Sequence, residues 1–584
     1  MYEGKIMLIY RVNIKGFRNY EDVDVYLNSS SLIIGSNNVG KTNFIYALRL
    51  LFDRNLSEND LDLLDSDFNA YSHSDKVEIT AYLKDINEEC LLSEFKGNIN
   101  EGKLILKYTK EKNQDYILQA GFSEDTMQEL KSRSYLRRLS MQYVDTNRNL
   151  YKYLRKERQN LLLNSQELLS EEQKNDDKTK TIEIQKNLNS INEKISSLNY
   201  IKNALENVNK ELSSLSVENE DQNIQFVAGH NDAEKMLSDV ALSYSSEEGP
   251  LTLGGDGRNN QIYLATWRAR QELKAGPDHV TFYAIEEPEA HLHPHQQRKL
   301  AQYLTKSLKG QVIVTSHSPQ IAEIFKAENI VRLYFHNKYT EAASGPNDAQ
   351  IKNSFNAFNY RLNTLSAEVF FSYGVFLVEG VSEVIFYKAL AKENGIDLDR
   401  LNISILAVEG IGFKPYINIC NALSIPWVLR TDNDIFKNRE EKYYAGIKRA
   451  VGIIKECKLD YKKPSECDKA CEKWHCDTIP NDIKNNNEAM RKSLKNIGIY
   501  MAKVDLENDI ANSNLSEALY AHYCIFDKDL KSLVSKMQKS KAKNMFDFVE
   551  EMHSKLQMLN DDELIEPIDS IVTKVKSQVQ YNGK

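Results

Sequence analysis

Two groups of acids define the chemistry available to the carboxy-terminal half of this chain. Glu379 follows the apolar run Val375–Val378, and Asp432 with Asp434 follows Val428-Leu429 further along. Short apolar runs of this kind read as buried strands, and acids at the carboxyl ends of parallel strands meet in one crevice. Carboxylates gathered there repel one another unless divalent cations neutralise them. Glu383 stands four residues after Glu379, in the first turn of a helix expected from Ile385, Phe386 and Leu390, so both face one site. Val408-Glu409-Gly-Ile-Gly412 supplies another strand end, and Lys503-Val-Asp505-Leu-Glu507-Asn-Asp509 adds acids at every second position. The basic stretch Lys536–Lys543 brings Lys541 as a cation able to contact a scissile phosphate. Each acid alone is more often a solvated carboxylate than a ligand. Their recurrence at strand ends carries the reading, with Glu409 and Asp505 its weaker members.

A second constellation lies towards the amino terminus. Gly35-Ser-Asn-Asn38-Val-Gly40-Lys41-Thr42 fits the pattern G-x-x-x-x-G-K-[ST] in full. Its glycines let backbone N–H groups curl around phosphates, Lys41 reaches the β/γ-phosphates, and the Thr42 hydroxyl ligates Mg²⁺. Asn38 and Asn43 are counted with Gly35 and Gly40 as nucleotide contacts. A chance glycine-rich turn is the alternative. Against it, the apolar Ser31-Leu-Ile-Ile and the helically spaced Asn43–Phe52 supply the strand–loop–helix context the motif requires. Downstream, Val280–Ile285 reads as a strand ending in Glu286-Glu287-Pro-Glu289. There Glu286 can hold magnesium and Glu287 can polarise an attacking water. Gln311–Thr315 is a further strand whose end carries His317, a candidate donor to the γ-phosphate; alone it would read as a capping or core histidine. Leu253-Gly-Gly-Asp-Gly-Arg258 opens a helical pattern and could offer N–H groups and Arg258 to a neighbouring subunit's nucleotide.

These residues need large α/β scaffolds, and the chain has room for them. Its 584 residues allow three or four domains, and 27 % charged with 41 % hydrophobic content is ordinary for a globular protein. No apolar run approaches the ~18–20 residues of a membrane span, and the first residues lack the apolar core of a signal peptide. Seven cysteines, odd in number and unevenly spread, argue against a disulfide framework and for a reducing cytoplasm. A net charge of −9 excludes non-specific coating of nucleic acid while leaving room for a local basic channel. Apolar residues at Ile184, Leu188, Ile191, Ile195, Leu198, Leu205, Leu212 and Leu215 alternate by three and four, the seam of a coiled coil. Residues 150–220 therefore read as a helical insertion, a hairpin serving dimerisation, or else one amphipathic helix lying on its own domain. Expected boundaries are 1–149 and 221–345 for the two parts of an ATP-binding head, and 346–584 for the acid-bearing domain, with Glu341–Gln350 a break between them. Cys457, Cys467, Cys471, Cys476 and His475 crowd together, but their spacings miss zinc-knuckle pairs, so free cysteines are preferred over structural Zn²⁺.

In order, the P-loop, the Leu-Gly-Gly turn, Ile-Glu-Glu-Pro-Glu-Ala-His-Leu-His-Pro and Thr-Ser-His-Ser-Pro resemble the ABC-type ATPase head of the SMC/RecF/OLD group. That resemblance implies two heads sandwiching ATP; Gln142 is the sole candidate for its Q-loop glutamine. Glu286 stands where Asp is common in the group, a substitution usual in the OLD branch. Glu-Gly-Val-Ser-Glu, Asp-Asn-Asp, Leu-Glu-Asn-Asp and Lys541 resemble the nuclease-type Toprim domain of OLD-family proteins, nearest to the nuclease subunits of Gabija anti-phage systems. Carried over by position, Glu379, Glu383, Asp432, Asp434, Glu507 and Asp509 become metal ligands or their neighbours, with Lys541 stabilising charge on the phosphate. Two ions ~4 Å apart would clamp the attacking and leaving oxygens of a phosphodiester. The resemblance implies an α/β fold, an ABC-type ATPase head with a helical insertion followed by a Toprim domain. It also implies an ATP-binding, Mg²⁺- or Mn²⁺-dependent endonuclease of double-stranded DNA, assembled as a homo-dimer or tetramer and working beside a UvrD-like helicase. The rival readings are an SMC/RecF-like repair ATPase or scaffold without nuclease activity, and a topoisomerase-type Toprim protein.

Overall fold

The computed structural model describes residues 7–145, 159, 161–215, 232–238, 244–246, 249–251, 265, 278–290, 292–308, 310–344, 367–409, 412–438, 441–461 and 464–579. One compact unit comprises Met1–Thr146, Asp278–Glu289 and Pro294–Lys584; a second comprises Asn147–Pro277 and Ala290–His293.

In the first unit, β1 (Leu8–Phe17) and β2 (Tyr20–Tyr26) form a hairpin, with Arg18 at φ 50° in its turn. They continue into an antiparallel sheet with β4 (Lys76–Lys84), β5 (Leu104–Glu111), β6 (Ile117–Gly121) and β7 (Gln128–Glu129), in the order β2-β1-β4-β5-β6-β7. Between β2 and β4 the chain crosses to a second sheet through β3 (Ser30–Ile34) and α1 (Lys41–Phe52). Eight of the twelve residues of α1 are buried, including Phe44, Ile45, Leu48, Leu51 and Phe52. A helix apolar on most sides must be covered on most sides. One core accordingly joins α1 to residues of both sheets, from Val12 and Ile79 to Ile33, Phe282 and Ile313.

The second sheet runs β12-β11-β3-β10-β9-β8. It contains β8 (Leu139–Val144), β9 (Val280–Glu286), β10 (Val312–Thr315), β11 (Ile330–His336) and β12 (Tyr339–Ser344). Pairings are parallel from β8 through β11, which puts the ends of β3, β9 and β10 side by side. Continuous apolar runs in β3 and β10 fit strands covered on both faces. The expected break from Glu341 starts later than expected: Tyr339–Ser344 pairs antiparallel with β11 across a tight turn in which Asn337 and Lys338 both have positive φ. A buried Thr340 and the two-residue turn outweigh the loop-like composition there.

The Toprim-like sheet of the same unit has four parallel strands in the order β14-β13-β15-β18. They are β13 (Gly374–Val378), β14 (Ile403–Ala407), β15 (Trp427–Thr431) and β18 (Ile499–Met501), with the short hairpin β16 (Ile435–Lys437) and β17 (Lys442–Tyr444) after β15. Helices Val381–Glu393, Ala445–Glu456, Leu506–Ala511, Lys541–Met552 and Glu566–Val579 surround them. Arg332 of β11 joins this domain to the P-loop sheet. Its buried guanidinium donates to the carbonyls of Leu423, Ser424 and Ser372 at 3.0, 2.9 and 3.2 Å.

The second unit contains helices Glu171–Ser197 and Asn199–Leu215, separated by Leu198 in an extended conformation. Ser170 and Gln173 form a capping box at the first helix. Leu188 is buried while Ile191 and Leu198 of the same apolar seam are exposed. The Leu253–Arg258 turn lies outside the described residues.

Candidate functional site

The nucleotide crevice forms where β3, β9 and β10 end. Gly40 has φ 108°, and a Cβ there would lie 2.4 Å from the Asn19 amide. Glycine meets both demands and lets α1 begin at Lys41. Asn38 is left-handed too, at φ 64°. The loop is latched from outside. The Tyr20 hydroxyl donates to the Gly40 carbonyl at 2.8 Å, while Asn19 Nδ2 and Thr340 Oγ1 donate to the Val39 carbonyl at 2.8 and 2.7 Å. Asn43 belongs to this latch, donating to Asn19 Oδ1 at 2.6 Å and accepting from Arg18 at 2.6 Å.

Lys41 Nζ donates to the carbonyls of Gly35 and Ser36, at 3.0 and 2.9 Å. Burial brings its pKa down to about 8, against the pull of Glu287, Glu289 and Glu286. Glu286 is buried at the end of β9 and accepts from the Tyr143 hydroxyl at 2.9 Å; its Oε1 has no hydrogen-bond partner among the described residues. Burial raises its pKa, with Tyr143 and Thr42 acting the other way. That orphaned oxygen beside Thr42 suits a cation. Glu287, at φ 40°, places its carboxylate 3.1 Å from His317 Nε2. Burial and the Lys41 charge lower the His317 pKa. Glu289 has no role that the sequence alone assigns. In the fold it accepts from Ser316 Oγ and the His317 N–H, each at 2.7 Å, and so holds the His317 loop. An acid two residues after Glu287 in a proline-containing run was its only signal.

The second crevice forms where β13 and β15 end. Glu379 Oε1 accepts from the Asp432 N–H at 2.9 Å and from Thr431 Oγ1, and pairs with Arg449. Arg449 rides on the helix Ala445–Glu456, which crosses the Asp432-Asn433 turn so closely that a Cβ on Gly446 would lie 2.2 Å from the Asp432 carbonyl. Asp432 is 8 % exposed; burial pushes its pKa up to about 8, Arg430 opposing and Glu379 and Glu383 adding. Asp432 Oδ1 has no hydrogen-bond partner among the described residues. Glu383, buried in the first turn of its helix, accepts from the Gly380 N–H at 3.1 Å; burial raises its pKa. Asp434 stands at the surface, its pKa raised by partial burial and by Asp505.

Glu507 is 1 % exposed, 3.1 Å from Lys541 Nζ, with Oε1 unpartnered among the described residues. Burial draws the Lys541 pKa down, but Glu507 and Asp432 outweigh it and the net shift is upward. Glu507 and Asp509 lie two apart on one helix and therefore diverge. Asp509 turns to the fully buried Arg430 at 2.7 Å, and burial raises its pKa. Asp505 caps that helix through Asn508 N at 2.7 Å, and Glu409 meets Glu379 only through the backbone, at 3.1 Å.

The fold thus gathers Glu379, Glu383, Asp432, Asp434, Glu507 and Lys541, and assigns Asp509 to Arg430. Among the described residues no three acids, histidines or cysteines surround a single point as ligands of one ion would. Arg449 and Lys541 lie against Glu379 and Glu507 instead. Buried acids with orphaned oxygens suit hard cations nonetheless. No disulfide joins Cys457, Cys467, Cys471 and Cys476.

These two crevices define a P-loop ATPase head joined to a Toprim domain. Residues 7–322 match the family described as AAA ATPase domain, and residues 370–434 match that described as Overcoming lysogenization defect protein-like, TOPRIM domain. The chain belongs to the AAA ATPase-domain family and carries an OLD-like TOPRIM domain behind that head. It is similar to Endonuclease GajA of Bacillus cereus strain VD045, 25 % identical over 94 % of this chain and 96 % of that protein. It is also similar to the OLD nuclease of Thermus scotoductus, 24 % identical over 74 % of this chain and 82 % of that protein. The Smc head domain of Pyrococcus furiosus aligns with a TM-score of 0.35 at 13 % identity, over 58 % of this chain and 96 % of that one. No helix among the described residues is long and apolar enough to cross a membrane.

Proposed function

We propose that this chain is a divalent-metal-dependent DNA endonuclease whose cutting is controlled by ATP at the head. The observation that carries this is the pairing of buried, incompletely bonded carboxylates, Asp432 and Glu507, with Lys541 in one crevice. Burial pushes the Asp432 carboxyl up to about 8, a cost that a cation in the crevice would relieve. Glu379, Glu383, Asp432, Asp434 and Glu507, with Asp509 at the margin, would hold Mg²⁺ or Mn²⁺, two ions per site. When bound, these ions supply the positive charge that a phosphodiester transition state requires. Lys541 would then hold developing negative charge on the scissile phosphate.

In the head, Gly35, Asn38, Gly40, Lys41 and Thr42 would cradle the nucleotide, Glu286 and Thr42 would hold its magnesium, and Asn43 stiffens the loop. Glu287 with His317 faces the γ-phosphate side. Coupling to the Toprim domain is supported by β11, which pairs with P-loop strand β3 at Ile34↔Arg332 and sends Arg332 into the Toprim carbonyls. The exposed seam at Ile191 and Leu198 supports self-association through the helical insertion. A bacterial anti-phage setting and a helicase partner rest on the Gabija resemblance alone.

The test is incubation of purified protein with supercoiled plasmid and Mg²⁺ or Mn²⁺, beside Asp432→Ala. Metal-dependent nicked or linear product that disappears in Asp432→Ala supports the proposal. Cleavage that survives Asp432→Ala sinks it, relaxed closed circles favour a topoisomerase, and intact plasmid favours a non-nucleolytic ATPase.

A further inference from the structure

The hairpin β16–β17 leaves the Toprim crevice directly from Asp434. Its inner face is anchored: Ile435 pairs with Tyr444, Tyr444 packs on Trp474 at 5.3 Å, and Lys442 and Trp474 exchange backbone hydrogen bonds at 2.9 and 3.0 Å. The Ala445 N–H donates to the Asp434 carbonyl at 2.8 Å, fixing the hairpin to the acid turn. Side chains alternate along a strand, so Phe436 emerges on the same side as Asp434, roughly 7 Å further on. Phe436 is 45 % exposed and stacks on Tyr443, centroids 4.9 Å apart and planes at 27°; Lys448 lies 4.6 Å over the Tyr443 ring. At the hairpin's far end Lys437 stands directly opposite Lys442. Asp477 answers that pair, 2.8 Å from Lys442 Nζ and within the field of Lys437, and Lys442 also donates to the Cys476 carbonyl at 3.1 Å.

An open aromatic face with a cation over its partner ring, following directly on the acid turn, is what a single DNA strand needs: a stacking surface beside a positive charge. We propose that this hairpin receives an unpaired base of the DNA strand leaving the crevice. The base stacks on Phe436, and the backbone runs past Lys448. The inference rests on the endonuclease reading and adds to it a preference for DNA that is locally single-stranded beside the cut. The Cys457–Cys476 segment, which carries Trp474, then serves as the hairpin's brace.

Fluorescence anisotropy with a labelled single-stranded oligonucleotide and a blunt duplex of equal length tests this, using Asp432→Ala protein so that the probe stays uncut. Phe436→Ala in that background should weaken single-strand binding about tenfold, leave duplex binding within twofold, and be rescued by Phe436→Trp. Phe436 is exposed, so its removal empties no core. Unchanged single-strand affinity, or an equal loss on both probes, overturns the assignment. If the parent protein cuts plasmid while Phe436→Ala changes nothing, only the hairpin assignment falls. If the parent binds neither probe, the endonuclease reading falls with it.

Discussion

Both crevices set acids from strand ends against a lysine, yet they balance charge differently. In the head, Glu286 and Glu289 rest on neutral donors, Tyr143 and Ser316, while Lys41 turns to backbone carbonyls with its pKa down at about 8. In the Toprim crevice, Glu379, Asp509 and Glu507 each face a cation, Arg449, Arg430 and Lys541. The head therefore waits for a ligand that brings its own anionic phosphates together with magnesium. The Toprim crevice is compensated in part, and cations that enter must displace Arg449 and Lys541 from Glu379 and Glu507 while Arg430 stays buried beneath. One site is preorganised for a charged ligand; the other is held closed by its own side chains.

The largest expected effect lies at Arg430. Replacing this buried cation with Met leaves Asp509, Asp432 and Glu383 without their shared counter-charge, and urea unfolding should show a loss of about 3–5 kcal/mol. A loss below about 1 kcal/mol would mean that Arg430 is not the internal compensation. Next in size, Lys541→Ala should lower the single-turnover plasmid cleavage rate about 10²–10³-fold with ATP binding unchanged. Lys541→Arg should recover part of it. A tenfold or smaller loss would assign Lys541 to structure.

The head's half of the comparison is sharpened by pH. Lys41 has a folded pKa of about 8 against an ordinary 10.5, so between those values the unfolded chain binds more protons than the native one. Stability then rises with pH across that window, and the cost of the buried charge is felt in full below it. Lys41→Met should flatten that rise by about 1–3 kcal/mol in urea midpoints measured at pH 8 and pH 10. Identical slopes in parent and variant would contradict the buried, uncompensated lysine. The smallest effect is expected at Arg449. Arg449→Gln frees Glu379 and should tighten Mn²⁺ binding a few-fold by electron paramagnetic resonance titration, about 1 kcal/mol. Weaker binding would show that Arg449 holds the site open instead of closed.

Local order made much of this legible in the sequence. The strand–loop–helix at 31–52 and the acids after Val378, Ile285 and Thr431 depend on short-range patterns that periodicity reports. The cations were not legible, because Arg449 reaches Glu379 only through the close crossing that Gly446 permits. Arg430 signalled itself only as a charge within an apolar strand. Strand β12 was hidden by loop-like composition, since a buried Thr340 and a tight turn decide its pairing. Asp509 was grouped with Glu507 by a spacing of two, which holds on a strand and fails on the helix Leu506–Ala511 that forms there.

Control of the Toprim site by the head is measured most directly by plasmid cleavage rates across an ATP titration, for parent and Lys41→Ala proteins at fixed Mg²⁺. Parent cleavage should change with ATP, whereas Lys41→Ala should cut at one rate whatever the ATP concentration. An ATP response that persists in Lys41→Ala would contradict control through this P-loop.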